Sequence, residues 1–293
     1  MKDNLLGISV KNLLEFMRIV ALGFGRVELK LDYLLSSGVK LFNYNYKRRS
    51  FKLVENTLES LSTISSEMGV EIQFHLPSST GPSIKSIRGF NPGMHEHHEI
   101  LLKYYQVFEE IYQKYGIGSI LTTHLPLVLF NGSIIRKDKR ALKDFKKFIL
   151  TLERIRRNES HQTKIGFENS GGKKPLDGFL GFANHHFEDS LSDALTIGTT
   201  FDVGHVPLSK EFDAERFLKF RTPVNIHLHG NTPGQGDEHL PPNAENVINY
   251  YDNLRLAKEN DIPVILEIKN IENISNYELR RIALGVKSDL INA

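Results

Sequence analysis

The stretch TPVNIHLHGNTPGQGDEHLP, residues 222–241, decides how the rest of the chain is read. Its apolar run VNIHLH (224–229) carries His227 and His229 two positions apart. Side chains of a strand alternate between its faces, so on a strand these two share one face. The NTPGQG that follows is turn chemistry, able to bring Asp237 and His239 back toward the end of that strand. Four metal-competent side chains therefore lie between positions 227 and 239. A strand that ends in such residues raises the question of whether the chain repeats the arrangement.

It does. Working outward, LLGISV (5–10), RVELKL (26–31), VEIQFHLP (70–77), GIGSILTTHLP (116–126), KIGFENS (164–170), ALTIGTTFDVGH (194–205) and IPVILEIKN (262–270) are further short, apolar runs. Segments of helical periodicity separate them. Residues 53–68 close at Gly69, a C-terminal helix signal. Residues 100–115 place Leu101, Tyr105, Phe108 and Ile111 at steps of three and four. Residues 138–157 read as a basic helix with a solvated face, and 243–259 as another helix. A loop, FNYNYKRRSF (42–51), follows the second run. Eight strand-like runs alternating with helices give a single (β/α)8 TIM barrel over residues 1–293, of α/β class. A doubly wound open sheet fits less well, because no glycine-rich dinucleotide fingerprint follows an early strand.

Composition narrows the chemistry. The chain has 293 residues and no cysteine, so disulfides, thiolate zinc sites and cysteine nucleophiles are excluded. Any metal must be held by His, Asp or Glu. With 37 basic and 35 acidic residues, no global field draws in nucleic acid or a membrane. Lys11, Glu15 and Arg18 interrupt the apolar N-terminal stretch, and no apolar run reaches membrane-spanning length. A cytoplasmic enzyme without a membrane partner is the expectation.

His75, His124, Glu168, Asp202, His227, His229 and Glu267 all stand at or near the ends of apolar runs. Barrel enzymes keep their chemistry at those ends. A buried charge is costly unless it is paired or metal-bound. A lone histidine in such a place is ordinarily a satisfied core group, but six successive strands ending this way describe a shared site.

The residues His75 in QFHLP, His124 in TTHLP, Glu168 in GFENS, Asp202 and His205 in FDVGH, His227 in HLHGN, Asp237 and His239 in GDEHLPP, and Glu267 in LEIKN resemble those of the xylose-isomerase-like barrels. That superfamily includes sugar isomerases and epimerases and the endonuclease IV class of DNA repair enzymes. The resemblance covers strands three to eight well and the first two poorly. It implies that Glu168, Asp202, His227 and Glu267 form the single-metal set of the epimerases. Adding His75, His124, His205, Asp237 and His239 completes the set of the three-metal endonucleases. It implies one to three divalent ions, and the mixed nitrogen and oxygen donors suit zinc or manganese.

Two enzyme readings follow. In the first, a sugar or sugar-phosphate isomerase or epimerase, Glu168 and Glu267 take and return a proton beside a metal-polarised carbonyl. HLHGN and DEHLPP look like sugar-phosphate isomerase and epimerase homologues, NTPGQG carries no basic residue, and the loop after His75 lacks an aromatic. Lys173 or Lys174 in GGKKP would serve as counter-charge to a substrate phosphate or be solvated lysines of a loop, Glu28 would line the pocket or stand at its rim, and His229 would be ligand, orienting group or wall. In the second reading, a phosphodiesterase acting on abasic DNA, FNYNYKRRSF would stack on bases and contact phosphates. The competing account of that segment is an ordinary loop whose aromatics pack on neighbouring helices. A third reading, a metal-binding barrel without turnover, is opposed by the completeness of the ligand set. The histidines of MHEHHE (His95, His97, His98) and of the pair His185 and His186 read as surface-loop residues. Homo-oligomerisation is left open.

Overall fold

The computed structural model describes residues 5–31, 38–45, 47–48, 50–76, 92–124, 129–130, 133–134, 139–169, 184–208, 212–232 and 234–293. The apolar runs form strands buried on both faces, the pattern of parallel strands with helices outside and a filled interior. In chain order the elements are β1 (Leu6–Val10), α1 (Leu13–Ala21), β2 (Arg26–Lys30), β3 (Phe42–Asn45), β4 (Ser50–Leu53), α2 (Glu55–Met68) and β5 (Glu71–His75). Next come α3 (His98–Tyr115), β6 (Ile120–His124), β7 (Leu129–Phe130), β8 (Ser133–Ile134), α4 (Lys139–Asn158), β9 (Lys164–Glu168) and α5 (Asn184–Leu191). The chain ends with β10 (Ile197–Asp202), α6 (Ala214–Phe220), β11 (Asn225–Leu228), α7 (Tyr250–Glu259), β12 (Val264–Leu266) and α8 (Asn276–Asn292).

Eight of these strands close into a parallel barrel in the order β1-β12-β11-β10-β9-β6-β5-β2, as the TIM-barrel reading requires. Register decides where the chemistry lies. Lys30 pairs with His75, His124 with Glu168, and Asp202 with His227. The polar ends of the strands thus meet at one mouth of the barrel.

At the opposite end, buried charges dock the helices onto the strand starts. Glu109 of α3 accepts from the backbone nitrogens of Gln162 and Thr163 and from the Thr163 hydroxyl, just ahead of β9. Glu153 of α4 does the same for Thr196, ahead of β10. Arg156 joins the two by donating to both threonine hydroxyls.

Several expectations change. The 42–51 segment is a β-hairpin, β3 against β4, because its aromatics have an apolar surface to cover. Phe42 meets Phe51, Tyr104 and Phe108 edge-on at centroid distances of 5.3, 5.6 and 5.9 Å. The helix expected over 243–259 begins only at Tyr250, since the Asn243 side chain accepts from the nitrogens of Glu245 and Asn246 and holds a turn. His97 and His98 are buried rather than on a surface loop. His95–His97 form a single 3-10 turn leading into α3, and His98 donates from Nε2 to the Pro92 carbonyl at 2.9 Å while its ring packs on Phe148. His185 and His186 lie on the backbone of α5, with side chains outside the described residues. Lys173 and Lys174 lie outside them altogether. Among the described residues, no helix is long and apolar enough to cross a membrane.

Phe108 is fully buried between Phe74 of the barrel and the hairpin aromatics. Replacing Phe108 with Ala should cost about 3–5 kcal/mol, read as a lower denaturation midpoint at unchanged slope. A loss below about 1 kcal/mol would show that this aromatic cluster does not hold the hairpin to the barrel.

Candidate metal centre

Among the described residues, four sets of side chains, three of them sharing members, offer ligand atoms within 4.8 Å of one another. An inner set is His75, His124 and Glu168; a central set is Glu168, Asp202, His227 and Glu267; an outer set is His205, His229, Asp237 and His239. The fourth, Glu28 with His75, His227 and Glu267, lies beneath the central set. All nine residues carried over from the resemblance thus come together, and His229 and Glu28 join them.

Glu168 links the inner and central sets. Its Oε2 lies 3.3 Å from His75 Nε2 and 3.5 Å from His124 Nδ1. Its Oε1 lies 3.5 Å from His227 Nδ1 and 3.5 Å from His205 Nδ1. His227 Nδ1 is also 3.5 Å from Glu267 Oε1 and 3.9 Å from Asp202 Oδ2. One carboxylate therefore presents each oxygen to a different group of imidazoles.

The histidines are oriented from behind. His75 Nδ1 donates to the Leu76 carbonyl at 3.0 Å, His205 Nδ1 to the Asn169 carbonyl at 2.8 Å, and His239 Nδ1 to the Glu267 carbonyl at 3.1 Å. A carbonyl can only accept, so these nitrogens carry the hydrogen, and Nε2 of each ring faces the carboxylates. His227 is held the opposite way, its Nε2 3.1 Å from Glu28 Oε2, which turns Nδ1 to the centre. Such partners fix the tautomer and aim of a metal-ligating imidazole.

Glu28 does not line the open mouth. It is fully buried, and its Oε2 also accepts from Gln73, Thr122 and Asn225 at 2.9, 3.2 and 3.3 Å. Hydrogen bonds satisfy that oxygen, which acts on the centre through His227, while Oε1 is buried without a hydrogen-bond partner.

The donor set fits divalent cations. Glu168 Oε2, Asp202 Oδ2, His227 Nδ1, His229 Nε2 and Asp237 Oδ1 are buried without a hydrogen-bond partner. A buried orphan of this kind costs about 1–3 kcal/mol, and these five lie together at one mouth of the barrel. Without metal, the charges lean on each other. Burial opposes charge on His227, but Glu28, Glu267 and Glu168 outweigh it and hold the ring well above its ordinary value. Burial likewise opposes charge on Glu168, yet His124, His227 and His75 keep it well below the usual carboxylate range. His124 goes the other way, pushed down to about 4 by burial. His205 is raised to about 10, because Asp202, Asp237 and Glu168 together overcome its burial.

Three participants escaped the sequence reading. Lys30 places Nζ 2.8 Å from Glu267 Oε1, at the edge of the central set. Its signal was its position two residues beyond the inward-facing Glu28 on the same strand. Asn169 clamps Asp202 by donating to its carbonyl at 2.8 Å and accepting from its nitrogen at 2.7 Å. Asn231 donates to the Gly204 carbonyl and accepts from the Glu238 nitrogen, both at 2.7 Å.

The barrel superposes on solved structures over nearly its whole length. A D-tagatose 3-epimerase-like protein matches with a TM-score of 0.65 at 22% identity, over 98% of this chain and 96% of the other. The 3-keto-D-glucoside 4-epimerase from E. coli matches at 0.64 and 12%, over 97% and 99%. An AP endonuclease, family 2, from Brucella melitensis matches at 0.56 and 12%, over 95% and 98%. The fold is a closed (β/α)8 TIM barrel, shared with these solved structures. No protein-family model and no curated protein matches the chain.

Two outcomes are expected. Glu28→Gln removes the charge that orients His227, and should weaken zinc binding about 10–100-fold in competition with a chromophoric chelator; unchanged affinity would refute the orienting role. Because the metal-free His205 holds its proton up to about 10, a cation must displace that proton. Zinc uptake at pH 8 should then release protons and tighten as pH rises toward that value. Calorimetry in buffers of different ionisation enthalpy measures the release, and none would contradict the assignment.

Proposed function

We propose that this chain is a divalent-metal-dependent hydrolase of phosphate esters that works with more than one bound ion. One observation carries the reading: the two oxygens of Glu168 face two different ligand sets. A single-ion isomerase requires only the central set and assigns no ion to His75 and His124.

Ions at these positions would supply Lewis acidity to a phosphoryl oxygen and acidity to an attacking water. The chain's own residues do the rest. Glu168 would fix the spacing of neighbouring positions, Glu28 holds His227 in one tautomer, and Asn169 holds Asp202 in place. The Lys30 ammonium adds a positive charge beside Glu267, where an anionic group would approach. Zinc or manganese suits this donor set.

A small-molecule phosphate ester is favoured over DNA. Phe42 and Phe51 pack against Tyr104 of α3, which removes them from base stacking. The balanced formal charge of +2 also lacks the basic footprint of a nucleic-acid binder.

The second reading is the metal-dependent sugar or sugar-phosphate isomerase or epimerase. It is favoured by the central set being complete in itself, with carboxylates of Glu168 and Glu267 each 3.5 Å from His227 Nδ1. Against it, Glu267 is ion-paired to Lys30, and Lys30 and His227 keep its carboxyl well below the usual range despite burial. A base so strongly stabilised in its ionised form takes up a proton poorly.

Metal analysis of protein purified without chelator, with a panel of phosphate esters, abasic DNA and ketoses, separates the readings. More than one zinc or manganese equivalent with phosphate-ester hydrolysis is expected. One equivalent with solvent-deuterium uptake into a ketose would replace the proposal by the isomerase. Glu168→Gln should lower activity by more than the roughly 10–100-fold typical of losing an outer partner, and should remove metal from two positions.

A further inference from the structure

His229 has no place in the nine-residue set that the superfamily resemblance implies, yet the fold makes room for it. Its side chain is fully buried, and its Nδ1 has no hydrogen-bond partner. A Cβ at Gly204 would stand only 2.1 Å from the His229 ring, so a residue with any side chain there would expel the imidazole. Gly204 is in turn held by Asn231, which donates to its carbonyl. The ring lies flat on His239, with centroids 4.0 Å apart and an interplanar angle of 14°. Its Nε2 is 3.8 Å from Asp237 Oδ1 and 3.1 Å from Asp202 Oδ1.

The other members of the outer set point to the same place. His205 and His239 each give Nδ1 to a carbonyl and turn Nε2 toward Asp237, at 3.8 and 2.9 Å from Oδ2. Ligand atoms of three imidazoles and one carboxylate thus lie within 4.8 Å of one another.

We infer that His229 is the fourth ligand of the outer position, and that this position is closed. Four protein ligands fill the tetrahedral coordination of zinc, the signature of a structural site, whereas catalytic zinc keeps a position for water or substrate. The inner set contributes three side chains and stays open. The outer ion would therefore tie the 231–240 loop to the barrel, leaving chemistry to the positions that share Glu168. The loop is already closed on itself: Gly230 and Leu240 exchange backbone hydrogen bonds at 2.8 Å, and Lys269 donates to the His239 carbonyl. This inference rests on the multinuclear reading proposed above.

The test uses the full chain loaded with zinc, and with cobalt as a spectroscopic probe. His229→Ala and His229→Phe both remove the ligand, and Phe preserves a flat ring against His239. The expected result is one fewer tightly bound zinc per chain in both variants, with the affinity of that ion reduced more than about tenfold. The cobalt form should lose intensity in its four-coordinate absorption, and limited proteolysis should cut the 231–240 loop that zinc protects in the unaltered protein. If the unaltered protein binds several ions and either folded variant keeps the same stoichiometry, affinity and cobalt spectrum, His229 is not a ligand and the inference falls alone. If the unaltered protein binds one ion or none, the multinuclear reading fails and takes the inference with it.

Discussion

A carboxylate taken out of water must find compensating positive charge, and Glu168 is almost wholly buried at the mouth of the barrel. It answers that constraint by facing His75 from one oxygen and His227 and His205 from the other, with His124 beside the first oxygen as well. The rest of the centre is arranged around this bridge. Asp202 and Glu267 flank His227, while Asp237 gathers the outer imidazoles. Removing any one partner would leave a buried charge uncompensated, which makes the group interdependent rather than a sum of separate contacts.

The bridge depends on orientation supplied from below and behind. A polar layer of Glu28, Gln73, Thr122 and Asn225 fills the barrel interior under the metal-competent side chains, in place of the branched apolar residues usual there. It ends in the hydrogen bond that turns His227 toward the centre. Backbone carbonyls do the same for His75, His205 and His239. The mouth thus inherits its geometry from strand register and main-chain position, both stiffer than a side chain.

The opposite end serves stability. Glu109, Glu153 and Arg156 satisfy backbone groups ahead of β9 and β10 and hold the helices to the strands, far from the ligand sets. The hairpin β3–β4 belongs to this structural part as well. Phe42 and Phe51, which as sequence alone suited either base stacking or helix packing, are packed on α3.

What the sequence by itself determined was the class of fold and which metal-competent residues stand at the strand ends. Apolar runs that end in His, Asp or Glu and alternate with helical periodicity follow from local patterning, and local patterning is what a single chain displays. The hairpin at 42–53 and the burial of the His98 ring were decided by tertiary packing, since Tyr104 and Phe108 of α3 and Phe148 of α4 gave those segments something to cover, and the start of α7 by the turn that the Asn243 side chain holds. The tertiary structure also partitioned the ligands. His227 and His229 share a strand face, yet His227 turns Nδ1 to the central set while His229 lies flat against His239 in the outer one. Spacing along one chain fixes which face a residue takes, but the point toward which a ring nitrogen is aimed depends on partners from other strands. For His227 that partner is Glu28, 199 positions away in sequence.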